Sequence, residues 1–287
     1  MNRLGARGKT ILRVSPVVVA GLAILWVKCT TAGMLPAVML PVQRAQASSR
    51  LSAERSAPLA LLARRDPLGL VRLAQERCER QIRDYSCVFI RQERIGDKLT
   101  PQQHIEVLYR NEPQSVRMTW IRNEDRVRRA VYVEGRLVDS DGAERALVEP
   151  SGSLVRIAAK KLAIPIHGAL AQASSRRTID QFGFSAMFKL MESVNKLALD
   201  RGVLDIRYEG PGRVDGRATY VLVRHLPYSG PEGEFPDARL VLHLDQEWLL
   251  PVAIYSYADR EEKELLGSYV LTSVKLNQNF DDETFAF

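Results

Sequence analysis

The residues that could do chemistry in this 287-residue chain are common in type but poorly arranged for it. Gly183-Phe184-Ser185-Ala186-Met187 carries a serine, but lacks the second glycine of a nucleophile elbow and falls inside a helical pattern instead of a strand-to-helix turn. The histidines, His104, His167, His225 and His243, occur singly, none with a second His or Cys at metal-ligand spacing. Carboxylates gather in charge-rich turns, at Asp259, Glu261, Glu262 and Glu264 and at Asp281, Asp282 and Glu283, where solvation accounts for them. The second group has acidic spacing a calcium ion could use, without the glycine and the spread of oxygen ligands of a calcium loop. Gly210-Pro211-Gly212 reads as a turn, not as a phosphate-cradling loop. The expectation is no catalytic residue, no metal site and no cofactor.

Two cysteines remain in the body of the chain. Cys78 falls on the first expected helix and Cys87 on the first expected strand, so a bridge between them is geometrically feasible. The expectation is a Cys78–Cys87 disulfide, the alternative being two buried thiols that act as small hydrophobes.

The elements that must position these residues follow from periodicity. Asp66 can cap a helix with Pro67 at its first position, and Leu68, Val71, Leu73, Ala74, Cys78 and Ile82 form one stripe along about 16 residues. From Tyr85 the period changes to two. Tyr85, Cys87 and Phe89 run to a hairpin turn at Ile95-Gly96-Asp97; strands follow at Ile105, Val107 and Tyr109, at Val116, Met118 and Trp120, at 127–134, briefly after Gly135, and at 143–148. Residues 161–177 read as an apolar loop. Asp180 then opens a second helix in which Phe184, Met187, Phe188, Met191, Val194 and Leu197 keep helical spacing. Such a stripe usually belongs to a core, and serves a ligand as well when that core encloses a cavity. Alternation resumes at 203–208, 219–226, 238–244, 252–257 and 265–276, with a hairpin at Asp215-Gly216. The order helix, meander, helix, meander predicts an α+β domain, a curved antiparallel sheet of about 10–11 strands with helices on one face and the other face wet.

Charge locates the partners. Residues 1–65 hold ten Lys or Arg and one acidic residue, Glu54, leaving 31 basic and 33 acidic residues in 66–287. The basic excess therefore belongs to the N-terminal segment, and the body lacks the positive footprint of a nucleic-acid-binding domain. Arg3, Arg7, Lys9 and Arg13 precede an apolar run at 14–27, which fits an export signal better than a bilayer span of roughly 20 residues. A second apolar stretch follows at 32–42. Cleavage after Ala47, cleavage after Ala32 and retention as an uncleaved membrane anchor are three readings of it. Trp26-Val27-Lys28 ahead of Cys29 lacks the small residues of a lipobox. The expected organisation is a signal peptide or anchor at 1–47, a flexible linker at 48–65 and a domain at 66–287, exported to the periplasm or held at the inner membrane with the domain outside the cytoplasm.

Residues 84–94 (DYSCVFIRQER), 114–120 (QSVRMTW) and 130–135 (AVYVEG) resemble the bacterial domain-of-unknown-function family numbered 1571. The later runs 226–233 (LPYSGPEG), 245–251 (DQEWLLP) and 276–285 (LNQNFDDETF) are similar to it as well. The resemblance extends from about Leu68 to the C-terminus and, more distantly, to the periplasmic lipoprotein carrier LolA. It implies an incomplete barrel closed by helices over an apolar cavity that takes acyl chains. No lipoprotein-docking residue can be carried over position by position.

Two functions are consistent with these readings, neither enzymatic. One is a periplasmic or envelope module that binds a lipid, a lipoprotein acyl chain or another apolar ligand, in a cavity lined by Phe89, Val107, Met118, Trp120, Phe184, Phe188 and Leu242. The other is an envelope sensor or scaffold whose core is filled by its own side chains and whose outer face binds a partner protein. A large apolar cavity favours carriage; a packed core favours scaffolding.

Overall fold

The computed structural model describes residues 49–124, 126–152, 161–173, 175–231 and 233–287, with side chains from residue 57 onward. The expected signal or anchor at 1–47, with Cys29, lies outside the described residues. Helix α1 spans Ser49–Arg65 and helix α2 spans Pro67–Gln81. Asp66 separates them, its carboxylate accepting from the Gly69 N–H at 2.7 Å while Pro67 occupies the first helical position, where a missing N–H is harmless. Residues 49–65, expected as a linker, are thus helical, because Leu59, Ala60, Leu62 and Ala63 supply a short apolar face that packs into the main core. α1 lies against α2 and over two strands of the sheet, in the same packed unit as the rest of the described chain.

Among the described residues twelve strands form one sheet: β1 (Asp84–Ile95), β2 (Lys98–Leu99), β3 (Gln103–Arg110), β4 (Ser115–Arg122), β5 (Val127–Val133), β6 (Arg145–Pro150), β7 (Leu162–Pro165), β8 (Asp205–Val214), β9 (Arg217–His225), β10 (Arg239–Asp245), β11 (Pro251–Tyr257) and β12 (Leu265–Leu276). The order is β7-β6-β5-β4-β3-β1-β12-β11-β10-β9-β8, with the short β2 paired to β1 alone and every named pairing antiparallel. Two meanders therefore meet at a central seam between β1 and β12, where Phe89 sits opposite Leu271 and Tyr85 opposite Leu276. Helices α3 (Ala169–Gln172) and α4 (Phe184–Asp200) lie between the meanders in sequence.

Alternation decides which side each residue takes. Tyr85, Cys87 and Phe89 of β1, Ile105, Val107 and Tyr109 of β3, and Val116 and Met118 of β4 are buried on the inner face, against Leu70, Val71, Ala74 and Cys78 of α2 and Phe184 and Phe188 of α4. On β10, Leu242 and Leu244 are buried and Leu240 packs against them, as the pattern predicts. At the β8–β9 hairpin Asp215 and Gly216 both have positive φ, 50° and 75°, as a two-residue turn matched to the strand twist requires.

Four departures from expectation have local causes. Gly210-Pro211-Gly212 does not turn the chain but continues β8 through a bulge at Gly210, tolerated because β8 is an edge strand. The short strand after Gly135 is a turn closed by a single bridge between Val138 and Glu144. Residues 161–177, read as loop, contain β7 and α3. The second helix begins at Phe184 instead of Asp180: Asp180 lies in a 3-10 turn, Ile179–Gln181, and Gly183, at φ 123°, interrupts the helical path.

The outer face is not uniformly wet. Val131 and Val133 of β5 point away from the inner core and are covered by Phe280, Phe285 and Phe287. A 3-10 turn at Glu283–Phe285 seats this segment, with Arg110 5.0 Å over the Phe285 ring and paired to Asp282 at 2.8 Å. Arg136 and Arg117 donate to the carbonyls of Phe285 and Thr284 at 2.9 and 3.1 Å.

Candidate functional site

Between the inner face of the sheet and the chain from Ile166 to Phe182 with α4 lies a cavity of about 450 Å³. Its sheet side is built by Phe89, Met118, Trp120, Ala130 and Val148, and across the seam by Leu240, Ile254 and Tyr269. Ile164 of the edge strand β7 borders the same space, and the opposite wall is Ile166, Ile179 and Phe182, with Met187, Leu190, Met191 and Val194 of α4. Those four helical positions are spaced i, i+3, i+4 and i+7, so one stripe of α4 faces the space while Phe184 and Phe188 go into the solid core beneath. Leu170 and Leu190, 66% and 38% exposed, stand at the rim.

Of the residues anticipated for an apolar cavity, Phe89, Met118 and Trp120 line it. Val107, Phe184, Phe188 and Leu242 are instead sealed in the packed core, each at most 2% exposed. Phe184 is taken up by Tyr85, 4.4 Å between ring centroids, and Tyr85 in turn by Tyr109 at 4.9 Å. The sequence could show which face these residues share, but not where that face is filled and where it is left hollow.

A polar group closes the seam end of the cavity. Glu93, 2% exposed, accepts from the Tyr269 hydroxyl at 2.9 Å and the Ser175 hydroxyl at 3.1 Å, with the Arg91 guanidinium at 3.6 Å. Arg91 also donates to Gln103 at 2.8 Å, and the Gln103 carbonyl takes the Trp120 indole N–H at 3.3 Å. Burial, and then the Glu93 carboxylate beside it, hold the Tyr269 hydroxyl well above the ordinary phenol range, so it stays protonated and donating. Farther along, one guanidinium nitrogen of the buried Arg224 donates to both oxygens of the buried Asp237, at 3.1 and 3.3 Å, and Asn195 of α4 accepts from a second Arg224 nitrogen at 2.9 Å. Glu93 and Asp237 are thus held by their own partners, and Ser175 has no histidine or lysine base beside it among its contacts in the described residues. This arrangement can hold a ligand, and it supplies no activated nucleophile.

Nor do the remaining candidates assemble. Among the described residues no three His, Cys, Asp or Glu side chains come together as a metal would require. His243 bonds Thr219 at 3.1 Å and His225 bonds Arg239 at 2.9 Å; burial lowers the pKa of both. Asp259 accepts three backbone N–H groups of its own turn, and Asp281 accepts the backbone N–H and the hydroxyl of Thr284, so these acidic runs cap turns. The expected disulfide is absent: Cys78 and Cys87 are both free and buried. The Cys78 thiol lies 4.0 Å from the Ser185 hydroxyl of α4, and the Tyr85 ring packs in the same core.

The family model for proteins of unknown function designated DUF1571 matches residues 82–287. The chain belongs to that family. Its open antiparallel sheet under a helical cover is the α+β layout anticipated from the sequence. Among solved structures, the Mycobacterium tuberculosis lipoprotein LppX is similar at 12% identity over 75% of this chain and 98% of its own, with a TM-score of 0.38. A LolA superfamily protein from Nitrosomonas europaea is 11% identical over 77% of this chain and 97% of its own, at a TM-score of 0.24. A chain of the Pseudomonas aeruginosa MucA/MucB complex is 18% identical over 75% of this chain, which spans 60% of that chain, at a TM-score of 0.39. Comparison with curated proteins returns no match. Among the described residues no helix is long and apolar enough to cross a membrane.

Proposed function

We propose that this DUF1571 protein is a non-enzymatic module of the bacterial envelope that binds a lipid, a lipoprotein acyl chain or a similar apolar ligand between its sheet and its helices. The observation that carries this reading is the cavity of about 450 Å³, walled mainly by apolar side chains from both meanders and from α4. A site of that volume falls in the range of small-molecule pockets. Each methylene buried there contributes about 0.8 kcal/mol, so a chain can be held without any fixed polar motif. The scaffold alternative calls for a core filled throughout by its own side chains, and the hollow beside Phe89 and Met118 weighs against it. The basic, apolar segment at 1–47 supports export, to the periplasm or to the outer side of the inner membrane.

The test is native mass spectrometry of gently purified full-length protein together with uptake of a fluorescent fatty acid. Co-purified lipid and saturable uptake are the expected results. A clean apo spectrum with no uptake contradicts the proposal.

A further inference from the structure

The walls of the cavity are apolar, but their charges do not balance. Among the described residues six cationic side chains reach the lining, Arg91, Arg126, Arg176, Arg177, Lys189 and Arg224, of which Arg126 has a partner of its own, against three carboxylates, Glu93, Asp180 and Asp237. Two of the carboxylates are already engaged, Glu93 by Arg91, Tyr269 and Ser175 and Asp237 by Arg224; Asp180 has one oxygen 3.4 Å from His167 and the other buried without a hydrogen-bond partner. None of them pairs with Arg176 or Arg177. Among the described residues the Arg176 guanidinium has two neutral acceptors, the Ser256 hydroxyl and the Pro236 carbonyl, both at the long distance of 3.4 Å. The Arg177 side chain makes no hydrogen bond or ion pair among the described residues. Both are half-buried. Both also oppose the effect of burial on the Tyr269 hydroxyl, which puts their charge on the side of the cavity where Tyr269 stacks on Phe89 at 6.2 Å.

Two adjacent cations, partly withdrawn from water and without a carboxylate, are costly to the protein alone. A ligand oxyanion removes that cost, and the planar guanidinium fork suits a carboxylate or phosphate better than any uncharged group. We infer that the cavity takes an anionic amphiphile, its acidic headgroup held by Arg176 and Arg177 and its chain laid along Phe89, Met118, Met187 and Leu190. This inference rests on the proposed function and narrows its ligand class.

The test uses delipidated full-length protein and two matched fluorescent probes, cis-parinaric acid and its uncharged methyl ester. The acid should bind about tenfold more tightly than the ester, and the gap should shrink at high salt. In the Arg176→Gln/Arg177→Gln variant the acid should fall to within about twofold of the ester while ester affinity is retained, which also reports an intact cavity. Equal binding of acid and ester by the wild type overturns the charge inference and leaves the apolar site standing; failure of both probes to bind overturns the proposed function. A preference that survives the double variant overturns the assignment to these arginines. Phosphatidic acid should displace the bound probe and inorganic phosphate should not; displacement by phosphate alone would identify a site for a free anion and overturn the amphiphile.

Discussion

The Cys78 thiol lies 4.0 Å from Ser185 in a buried position, where loss of hydration pushes its pKa up to about 11, and burial raises Cys87 further. Neither forms thiolate near neutrality, so both are inert as nucleophiles in the folded state. Native protein at about pH 8 should react with a thiol reagent at these positions at least about a hundredfold more slowly than urea-unfolded, unreduced protein, which should yield both. Mass mapping of the labelled peptides checks this, and a missing pair of thiols after unfolding would restore the disulfide. At this scale the sequence was legible by type more than by place. Cys78 and Cys87 could be assigned to a helix and to a strand, but which way the Cys78 side chain turns depends on Ser185, 107 positions away. Periodicity does not single out Arg176 and Arg177, which end a stretch that reads as loop. Two adjacent arginines closing an otherwise apolar segment were the signal that could have drawn attention to them.

At the scale of elements, Gly183 governs where α4 starts. Its φ of 123° suits glycine, and a Cβ there would meet the Tyr109 ring at 2.6 Å. Gly183→Ala should therefore cost about 2–4 kcal/mol, from backbone strain plus overpacking. Gly202, at φ 67° with nothing near its Cβ position, supplies the comparison, and Gly202→Ala should cost about 1 kcal/mol. Urea unfolding of both variants separates the contact from the strain; equal losses would show that Tyr109 plays no part. The first variant also displaces the register of Met187, Leu190 and Met191, so uptake of the fluorescent fatty acid should weaken with it. Element type was readable wherever one face is buried, because alternation and the i, i+3, i+4 stripe record burial directly. It failed where tertiary contacts supply what periodicity lacks. The short apolar face of α1 is helical because α2 and the sheet receive it, and β7 is a strand because β6 pairs with it.

For the whole molecule the titratable groups predict a pH profile. Burial lowers the pKa of His243 and His225, so their contribution to stability is complete above the ordinary histidine range and is lost as pH falls below about 6.5. Asp139, Asp259 and Asp281 are held below the usual carboxylate range, Asp139 and Asp259 chiefly by backbone N–H groups and Asp281 by the Thr284 hydroxyl. Their folded pKa is lower than their unfolded one, so their contribution is complete above about pH 4 and is lost on further acidification. Thermal melting should therefore be flat near neutrality, decline below about pH 6.5, and decline again below about pH 4, with Asp259→Asn weakening the second step. A melting temperature constant from about pH 7 to pH 2 would contradict this assignment.

The central seam bears on how the chain reaches this state. β1 and β12 are neighbours in the sheet, and Asp84 accepts from the Gln278 backbone N–H across 194 positions. No partial chain can finish the inner face: until β12 arrives, β1 shows one unpaired edge, and the two meanders have no covalent shortcut between them. Pairings of such sequence separation make folding slow and expose strand edges while it proceeds. The step that joins the meanders is the one that encloses the cavity, so this protein acquires a place for a ligand only at the end of folding. Until then the hydrophobic lining is surface, and a chaperone or a bilayer competes for it.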